Sequence, residues 1–261
     1  MKPFFPVKGL GQNFLVDRDI LQKIANACAL APGQEVLEVG PGQGALTGML
    51  LQQGAQVVAV ETDHRLLLPL TGKFQDRPFT LHHADILTFD LKVLPLSMFP
   101  LTVIGNIPYN ISTPLMEKMI ALRRQVKVLF VTVQLEFAQR LTSLPGAEEY
   151  SALTCLLGMF ASARILFRVH ARSFRPMPKV TSCFMRIDLR PAALFPVRDE
   201  ERFIRIVRQA FLQRRKTILN ALSSSGIKGD VDKALDRAGV DKKARPEVLS
   251  AADYARIADN L

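Results

Sequence analysis

The chain has 261 residues, 48% of them hydrophobic, and carries a formal net charge of +10. This length and composition fit one large folded domain, or a full domain with a small appendage, and exclude a disordered chain. No run approaches the roughly 18 to 20 uncharged apolar residues that a membrane-spanning helix needs. Three scattered cysteines without metal-ligand spacing, and an N-terminus without the features of a secretory signal, predict a cytoplasmic protein with buried thiols and no metal site.

Short apolar runs alternate with helix-like spacing of apolar residues through the first half of the chain. In chain order, the patterns predict a helix at 19–29, a strand at 35–39, a helix at 44–53, strands at 57–61 and 101–105, a helix at 114–122 and a strand at 128–133. This rhythm implies parallel strands joined by right-handed crossovers. We therefore predict an α/β fold with a mostly parallel, doubly wound sheet, to which alternating apolar residues at 181–189 add a late strand.

The pattern changes after Arg190, where Pro191 and Pro196 bracket a predicted linker. Beyond this linker, residues 199–222 predict one long basic helix, and residues 231–238 and 251–260 predict two shorter helices. We expect two domains: residues 1–191, which contain the α/β sheet, and residues 192–261, which form a small all-helical domain.

The positive charge is concentrated in one part of the chain. Between Arg164 and Lys216 there are fourteen Arg and Lys residues and only four Asp and Glu residues. A polyphosphate partner would favour such a segment, because basic side chains steer and bind it. From charge alone, a solvated basic surface is an equally good interpretation.

A glycine-rich segment, Glu-Val-Gly-Pro-Gly-Gln-Gly at 38–44, lies where the first predicted strand passes into a helix. Gly40 and Gly42 allow a tight turn and a close approach to a ligand, because neither has a Cβ. Dinucleotides and S-adenosylmethionine both suit this position at the carboxyl end of a strand. The G-x-G-x-G spacing, with Glu38 two residues before the first glycine, departs from the dinucleotide pattern G-x-G-x-x-G. A turn without a ligand is the alternative.

Two further acids follow predicted strands. Glu61 ends the second apolar run, where a carboxylate can accept both ribose hydroxyls of an adenosine. Asp85 follows a third short strand, where it can accept a hydrogen bond from the exocyclic amine of adenine. Each acid alone would be an ordinary surface carboxylate, but together with the glycine turn they predict a nucleoside site at successive strand ends.

The segment Asn106-Ile107-Pro108-Tyr109 lies at the tip of the next predicted strand. The amine of adenine is a poor nucleophile because its lone pair is delocalised into the ring. The Asn106 side-chain oxygen and the Ile107 carbonyl can accept hydrogen bonds from the two N–H groups of this amine. They would then aim its lone pair at an electrophilic methyl group. Pro108 would hold the turn, and Tyr109 offers a face on which the base can stack. Catalysis would then depend on positioning and electrostatics, with no strong base.

Four segments together resemble the KsgA-type family of ribosomal RNA small-subunit adenine dimethyltransferases. Residues 106–109 resemble the Asn-(Ile/Pro)-Pro-(Tyr/Phe) signature of enzymes that methylate base amines, and residues 11–15 resemble the family's Gly-Gln-Asn-Phe-Leu segment. Residues 174–182 match its Phe-x-Pro-x-Pro-x-Val-x-Ser stretch, and residues 211–220 resemble its Arg-Arg-Lys-Thr segment. The resemblance runs in register from about residue 8 to residue 222. It departs at Tyr150-Ser151-Ala152-Leu153, where the family commonly has Tyr-Gly-Arg-Leu, so the basic residue is absent here.

The resemblance implies a class I methyltransferase fold, Rossmann-like, with a helical C-terminal domain. It also implies dimethylation of two adjacent adenosines in a loop near the 3′ end of small-subunit (16S) rRNA, with S-adenosyl-L-methionine as methyl donor. The residues then expected to bind the donor are Asn13, Leu15, Glu38, Gly40, Gly42, Glu61, Asp85 and Asn106. Phe174 is expected to stack on the target adenine opposite Tyr109, after the base has been turned out of its stack.

The basic C-terminal segment gains a role beside this resemblance. Side chains that could contact an RNA backbone are Arg202, Arg205, Arg208, Arg214, Arg215 and Lys216. We expect a monomer that acts on an immature small ribosomal subunit and that also serves as an assembly checkpoint. Three alternatives are open: a large-subunit rRNA methyltransferase that confers macrolide resistance, a non-enzymatic RNA-binding factor and, least favoured, a dehydrogenase.

Overall fold

A computed structural model describes residue 9 and residues 11–261. These residues form two compact units. The first unit comprises the described residues up to Ala138 together with Arg164–Leu189, and the second comprises Gln139–Ala163 and Arg190–Leu261. The second unit therefore contains a segment, 139–163, that lies on the other side of the predicted boundary at residue 191.

Seven strands form the main sheet: β2 (Glu35–Val39), β3 (Gln56–Glu61), β4 (Phe79–His83), β5 (Leu101–Asn106), β6 (Val126–Gln134), β7 (Ala161–Val169) and β9 (Ser182–Leu189). Their order across the sheet is β4-β3-β2-β5-β6-β9-β7. Strands β4, β3, β2, β5 and β6 pair in parallel, and β9 pairs with β6 in the antiparallel direction. The predicted mostly parallel, doubly wound sheet is confirmed.

Five helices begin in the first unit: α1 (Arg18–Cys28), α2 (Ala45–Gln52), α3 (His64–Lys73), α4 (Ser112–Ala121) and α5 (Leu135–Leu141), which continues into the second unit. Asp17 caps α1, because its side chain accepts the Ile20 N–H at 3.3 Å and satisfies a donor that the helix leaves open. Strand β2 lies inside the sheet, and its residues 36–39 are all buried. A central parallel strand is covered on both faces, so the buried residues of β2 after Glu35 are apolar except for Glu38.

Two very short strands form a separate antiparallel pair, β1 (Phe14–Leu15) with β8 (Phe174–Arg175). Leu15 lies opposite Phe174, and both side chains are buried in the hydrophobic core of the first unit. The Ser173 hydroxyl also donates to the Asp17 carboxylate at 2.8 Å. This pairing brings together two of the segments that carry the family resemblance.

The second unit contains the helices α6 (Ala152–Phe160), α7 (Glu200–Leu212), α8 (Ile218–Ser223), α9 (Val231–Ala238) and α10 (Ala251–Asn260). Helix α6 belongs here because its apolar side chains pack against the later helices. The ring of Phe160 lies edge-on to the ring of Phe203 on α7, with centroids 5.9 Å apart. Burial of this apolar helix explains why residues 139–163 group with the C-terminal helices.

The prediction of one long helix over 199–222 is wrong, because α7 ends at Leu212 and α8 begins at Ile218. A turn separates them, in which the Lys216 N–H donates to the Gln213 carbonyl at 2.8 Å. The Thr217 side chain then accepts the Asn220 N–H at 3.4 Å and caps α8. Threonine at this position favours a new helix start over continuation of the first helix.

Candidate functional site

A cavity of about 230 Å³ opens beside the turn after β2, where the carboxyl ends of the parallel strands meet. Gly40 lines this cavity with φ near +67°, a backbone conformation that glycine adopts without strain. A Cβ added to Gly40 would meet no atom of the described residues within 4 Å. The missing side chain therefore leaves room in the cavity.

The cavity gathers most of the predicted donor-binding and catalytic residues, all of them in the first unit. Among its lining residues are Asn13, Gly40, Glu61, Asp85, Asn106, Ile107, Pro108 and Tyr109. They come from the β1 region and from the ends of β2, β3, β4 and β5, so segments far apart in sequence meet at one edge of the sheet. Ligands of doubly wound folds bind at this edge.

Glu61, the last residue of β3, presents a buried carboxylate to the cavity. One of its oxygens accepts the Asp63 N–H at 2.9 Å and the other accepts the Gly42 N–H at 3.2 Å. Burial raises the pKa of Glu61, and the two backbone hydrogen bonds act against this shift. Since each carboxylate oxygen has a second lone pair, both can still accept a hydroxyl of a bound ribose.

Asp85 lies in the loop after β4 and is exposed. Its Oδ1 atom accepts the Leu87 N–H at 2.8 Å, and its backbone carbonyl accepts the N–H groups of Thr88 and Phe89. The loop therefore folds around Asp85. The neighbouring residues Ala84 and Ile86 also line the cavity, so this loop forms one of its walls.

Asn106, the last residue of β5, lines the cavity. Its Nδ2 atom donates to the Asn13 backbone carbonyl at 2.8 Å. This contact assigns the orientation of the amide, because only the nitrogen can donate. The Asn106 Oδ1 atom then points away from the Asn13 carbonyl and can accept a hydrogen bond. Strand β5 itself continues the sheet to its last residue, since Asn106 pairs with Thr132 of β6.

Tyr109 is held at its hydroxyl end. Its phenol lies 2.6 Å from the Ser182 hydroxyl, and Ser182 is fully buried at the start of β9. Burial raises the pKa of Tyr109, with the Ser182 contact acting against it, so the phenol is neutral at physiological pH. The hydrogen bond to Ser182 therefore fixes the position of the Tyr109 ring at the cavity.

Glu38 lies outside the cavity lining, with 1% of its surface exposed. Its Oε2 atom accepts the Thr47 hydroxyl of α2 at 2.7 Å. Desolvation raises the pKa of Glu38 to about 7, with a smaller contribution from repulsion by Glu61, and the Thr47 hydrogen bond acts against both. In this structure, Glu38 joins β2 to α2 and makes no contact with the cavity.

Three more predicted residues also lie outside the lining. Leu15 and Phe174 are buried in the core, 5% and 0% exposed, on the paired strands β1 and β8. Gly42 lies beneath Phe14, and a Cβ added to it would come within 2.8 Å of that ring. The structure thus does not bring Phe174 to the cavity opposite Tyr109.

The predicted RNA-binding residues all lie in the second unit. On α7, Arg205 and Arg208 are exposed and Arg202 is partly exposed, opposite an apolar face of Phe203, Ile206, Val207 and Ala210. Arg215 and Lys216 are exposed in the turn after α7. Arg214 instead donates to the Glu148 carbonyl, and its Nε atom lies 3.7 Å from the Glu247 carboxylate.

Several residues near the site were not predicted. Gln12 donates to the buried Asp63 carboxylate at 2.8 Å, and Arg65 holds the pKa of that carboxyl far below its usual range. Site residues or their loop are also held in place by Thr47, Ser182 and Lys118. Of these unpredicted residues, Gln12 and Ser182 had a signal, because they lie in the family-like segments 11–15 and 174–182. Among the described residues, no cluster of ligating side chains suits a metal ion and no helix is long and apolar enough to cross a membrane.

The sheet order, the glycine turn and the cavity at the strand ends define a class I methyltransferase fold. Residues 7–261 match the family model of ribosomal RNA adenine dimethylase. The chain is 40% identical to Ribosomal RNA small subunit methyltransferase A of Pseudomonas putida, over 97% of this chain and 94% of that protein. It is 34% identical to the protein of the same name in Clostridium botulinum, over 97% and 92%.

Solved structures agree with this fold. The 23S rRNA methyltransferase ErmE is 30% identical and superposes with a TM-score of 0.70 over 95% of this chain and 99% of that one. A dimethyladenosine transferase from Plasmodium falciparum, 24% identical, superposes with a TM-score of 0.75 over 94% and 95%. The chain belongs to the ribosomal RNA adenine dimethylase family.

Proposed function

We propose that the chain is an rRNA adenine N6,N6-dimethyltransferase that modifies two adjacent adenosines near the 3′ end of small-subunit rRNA. The observation that carries this proposal is the cavity where Asn106, Glu61 and Asp85 meet at successive strand ends. The relatives named for the small subunit are 34–40% identical to the chain, whereas the 23S rRNA enzyme is 30% identical. This order favours the small subunit as substrate.

The donor end of the site is assigned to residues around Gly40. S-adenosylmethionine would supply an electrophilic methyl group carried on a sulfonium. The two oxygens of Glu61 would accept the ribose hydroxyls, and Asp85 would accept the adenine amine of the donor. These features fit a nucleoside. Gly40 leaves open space for it, and the two Glu61 oxygens can accept hydrogen bonds from its ribose hydroxyls. Asn13 lines the same cavity and would contact the donor.

The acceptor end is assigned to Asn106–Tyr109. Asn106 Oδ1 and the Ile107 carbonyl would accept hydrogen bonds from the two N–H groups of the target amine and direct its lone pair at the methyl carbon. A new C–N bond forms as the C–S bond breaks, and the cationic nitrogen then loses its proton to water. Asn106 is suited to this role because the Asn13 carbonyl fixes its amide before substrate arrives. Tyr109, held by Ser182, would stack on the base.

Phe174 would reach the base only if its side chain left the core, so its predicted stacking role requires a change of rotamer. Leu15, Glu38 and Gly42 would act on the donor through their neighbours, since each packs behind the cavity wall. The first predicted domain, residues 1–191, would carry out catalysis, and residues 192–261 would contact the RNA and the ribosome.

The basic side chains of the second unit would contact the rRNA backbone. Arg202, Arg205 and Arg208 share one side of α7, and Arg215 and Lys216 follow in the next turn. Phosphate contacts of this kind position a nucleic acid without reading its sequence. We further infer a cytoplasmic monomer that acts on the immature small subunit, where it also serves as an assembly checkpoint.

Methyl transfer from radiolabelled S-adenosylmethionine to unmodified small and large ribosomal subunits tests the proposal. The variants are Asn106→Ala and, as a matched control, Asn26→Ala, which removes an exposed amide on α1. We expect N6,N6-dimethyladenosine in the small subunit with wild type and Asn26→Ala, and a loss of at least about 100-fold in rate with Asn106→Ala. Label confined to the large subunit would make the chain an enzyme of the 23S type. Subunit binding without any label would make it a binding factor.

A further inference from the structure

Lys118 makes an unusual set of contacts with the loop that carries Asp85. Its Nζ atom lies 2.7, 3.2 and 2.6 Å from the backbone carbonyl oxygens of Ile86, Leu87 and Phe89. An ammonium group has three N–H donors, so these three carbonyls use its full capacity. Lys118 does not line the cavity, but Ile86 does.

The same loop turns its amides inward to Asp85. The Leu87 N–H donates to the Asp85 carboxylate, and the N–H groups of Thr88 and Phe89 donate to the Asp85 carbonyl. The carbonyls of the loop therefore converge on one point, where their negative ends would repel one another without a cation. Lys118 supplies that cation, and charge-assisted hydrogen bonds of this type are stronger than neutral ones.

Burial and charge agree with a fixed side chain. Partial burial lowers the pKa of Lys118, and the nearby carboxylates Asp85 and Asp90 act against this shift. The ammonium thus loses part of its hydration and takes the loop carbonyls in exchange.

Lys118 also connects the two ends of the site. It lies in the last turn of α4, the helix that follows the Asn106–Tyr109 motif. At the start of the same helix, the Ser112 hydroxyl donates to the Pro108 carbonyl at 3.4 Å. One helix therefore contacts the catalytic motif at its first turn and the Asp85 loop at its last turn.

We propose that Lys118 is a positioning residue for the methyl donor: its ammonium orders the 85–89 loop so that Asp85 meets the adenine amine of the donor. This inference rests on the proposed function, because it takes the cavity to be a donor site. Lys118 acts through the loop and makes no contact with the reacting atoms. It sets donor affinity and leaves the rate of the bound complex nearly unchanged.

The test uses two ligands that differ at the amine-bearing edge of the purine. S-adenosylhomocysteine carries the amine and an unprotonated N1, whereas S-inosylhomocysteine carries an oxygen in place of the amine and a hydrogen on N1. Dissociation constants of both are measured by calorimetry for wild type, Lys118→Met and the control Lys92→Met, which removes an exposed lysine from the turn that follows the loop. We expect Lys118→Met to raise the dissociation constant of S-adenosylhomocysteine about tenfold and that of S-inosylhomocysteine by less than about twofold. Lys92→Met is expected to match wild type.

Kinetics give the second readout. Lys118→Met should raise the KM for S-adenosylmethionine about tenfold and change kcat by less than about twofold. Equal weakening of both ligands, or no weakening of either, would overturn the proposal, since a general loss of structure does not distinguish the adenine amine. If wild type fails to bind S-adenosylhomocysteine at all, the proposed function itself is wrong.

A measurement on the wild-type protein guards against a variant that does not fold. Hydrogen exchange of the Leu87, Thr88 and Phe89 amides reports whether the loop is ordered before the donor binds. We expect protection of these amides in the ligand-free protein. Exchange at the rate of an unstructured peptide would refute ordering by Lys118, whatever the variants do.

Discussion

The buried carboxyl of Glu38 makes a sharp prediction about stability and pH. Its pKa is raised from 4.5 to about 7 in the folded protein, chiefly by desolvation. A raised carboxyl pKa means that the folded protein keeps a proton that the unfolded chain releases. The contribution of Glu38 to stability is therefore complete below about pH 4.5 and is lost as the pH rises through about 7.

The magnitude follows from these two pKa values. Integrating the linkage relation from pH 5 to pH 8 gives a loss of about 2.5 kcal/mol in the free energy of unfolding from Glu38 alone. Glu38→Gln keeps the shape of the side chain and remains neutral at every pH, so it removes this loss. Relative to wild type, the variant should become more stable by about 2.5 kcal/mol between pH 5 and pH 8.

Urea denaturation of wild type and Glu38→Gln at a series of pH values measures this difference, because other titrating groups largely cancel in the comparison. Thr47→Val is the matched control of opposite sign. The Thr47 hydroxyl donates to Glu38 and thereby lowers the pKa of Glu38. Its removal should raise that pKa and increase the loss of stability as the pH rises. A difference between wild type and Glu38→Gln that stays constant with pH would refute a buried, proton-binding Glu38.

Two further predictions concern the aromatic residues of the site. Phe174→Ala should lower the free energy of unfolding by about 3–5 kcal/mol, because the ring is fully buried in the core; a loss below about 1 kcal/mol in denaturant titrations would contradict this placement. Ser182→Ala should lower kcat/KM for the RNA while the dissociation constant of S-adenosylhomocysteine stays the same, because it frees the Tyr109 ring that would stack on the base. Tyr109→Phe removes the same hydrogen bond, so the double variant should be no worse than the more impaired single variant, and additive losses would argue against the contact.

Local patterns were enough to predict the framework of the site. Gly40, Glu61, Asp85 and Asn106 each follow a short apolar run, and the carboxyl ends of parallel strands must meet at one edge of the sheet. Their convergence on one cavity could therefore be predicted from spacing. The family resemblance added Asn13, which has no local pattern of its own and lies 93 residues before Asn106 in the chain.

The contacts that hold those residues could not be predicted in the same way. Lys118 in the sequence is an ordinary lysine on a helix, and its role depends on where α4 packs against the 85–89 loop. Phe174 belongs to a family-like segment, but its burial follows from pairing with Leu15, a long-range contact without a periodic signal. The break after Leu212 was missed because no Gly or Pro interrupts residues 199–222, and the Thr217 cap of α8 is recognised only in the structure.

The β1–β8 pair has a consequence for the order in which the protein becomes competent during synthesis. Leu15 pairs with Phe174, about 160 residues later in the chain, and the segment just before Leu15 carries the Asn13 carbonyl that orients Asn106. At roughly 5–20 residues per second, a ribosome needs roughly 8–30 s to make that intervening stretch. A nascent chain that has completed β2, β3 and β5 still lacks the partner strand that docks its N-terminal segment. Asn106 is therefore oriented by Asn13 only after most of the chain has been translated.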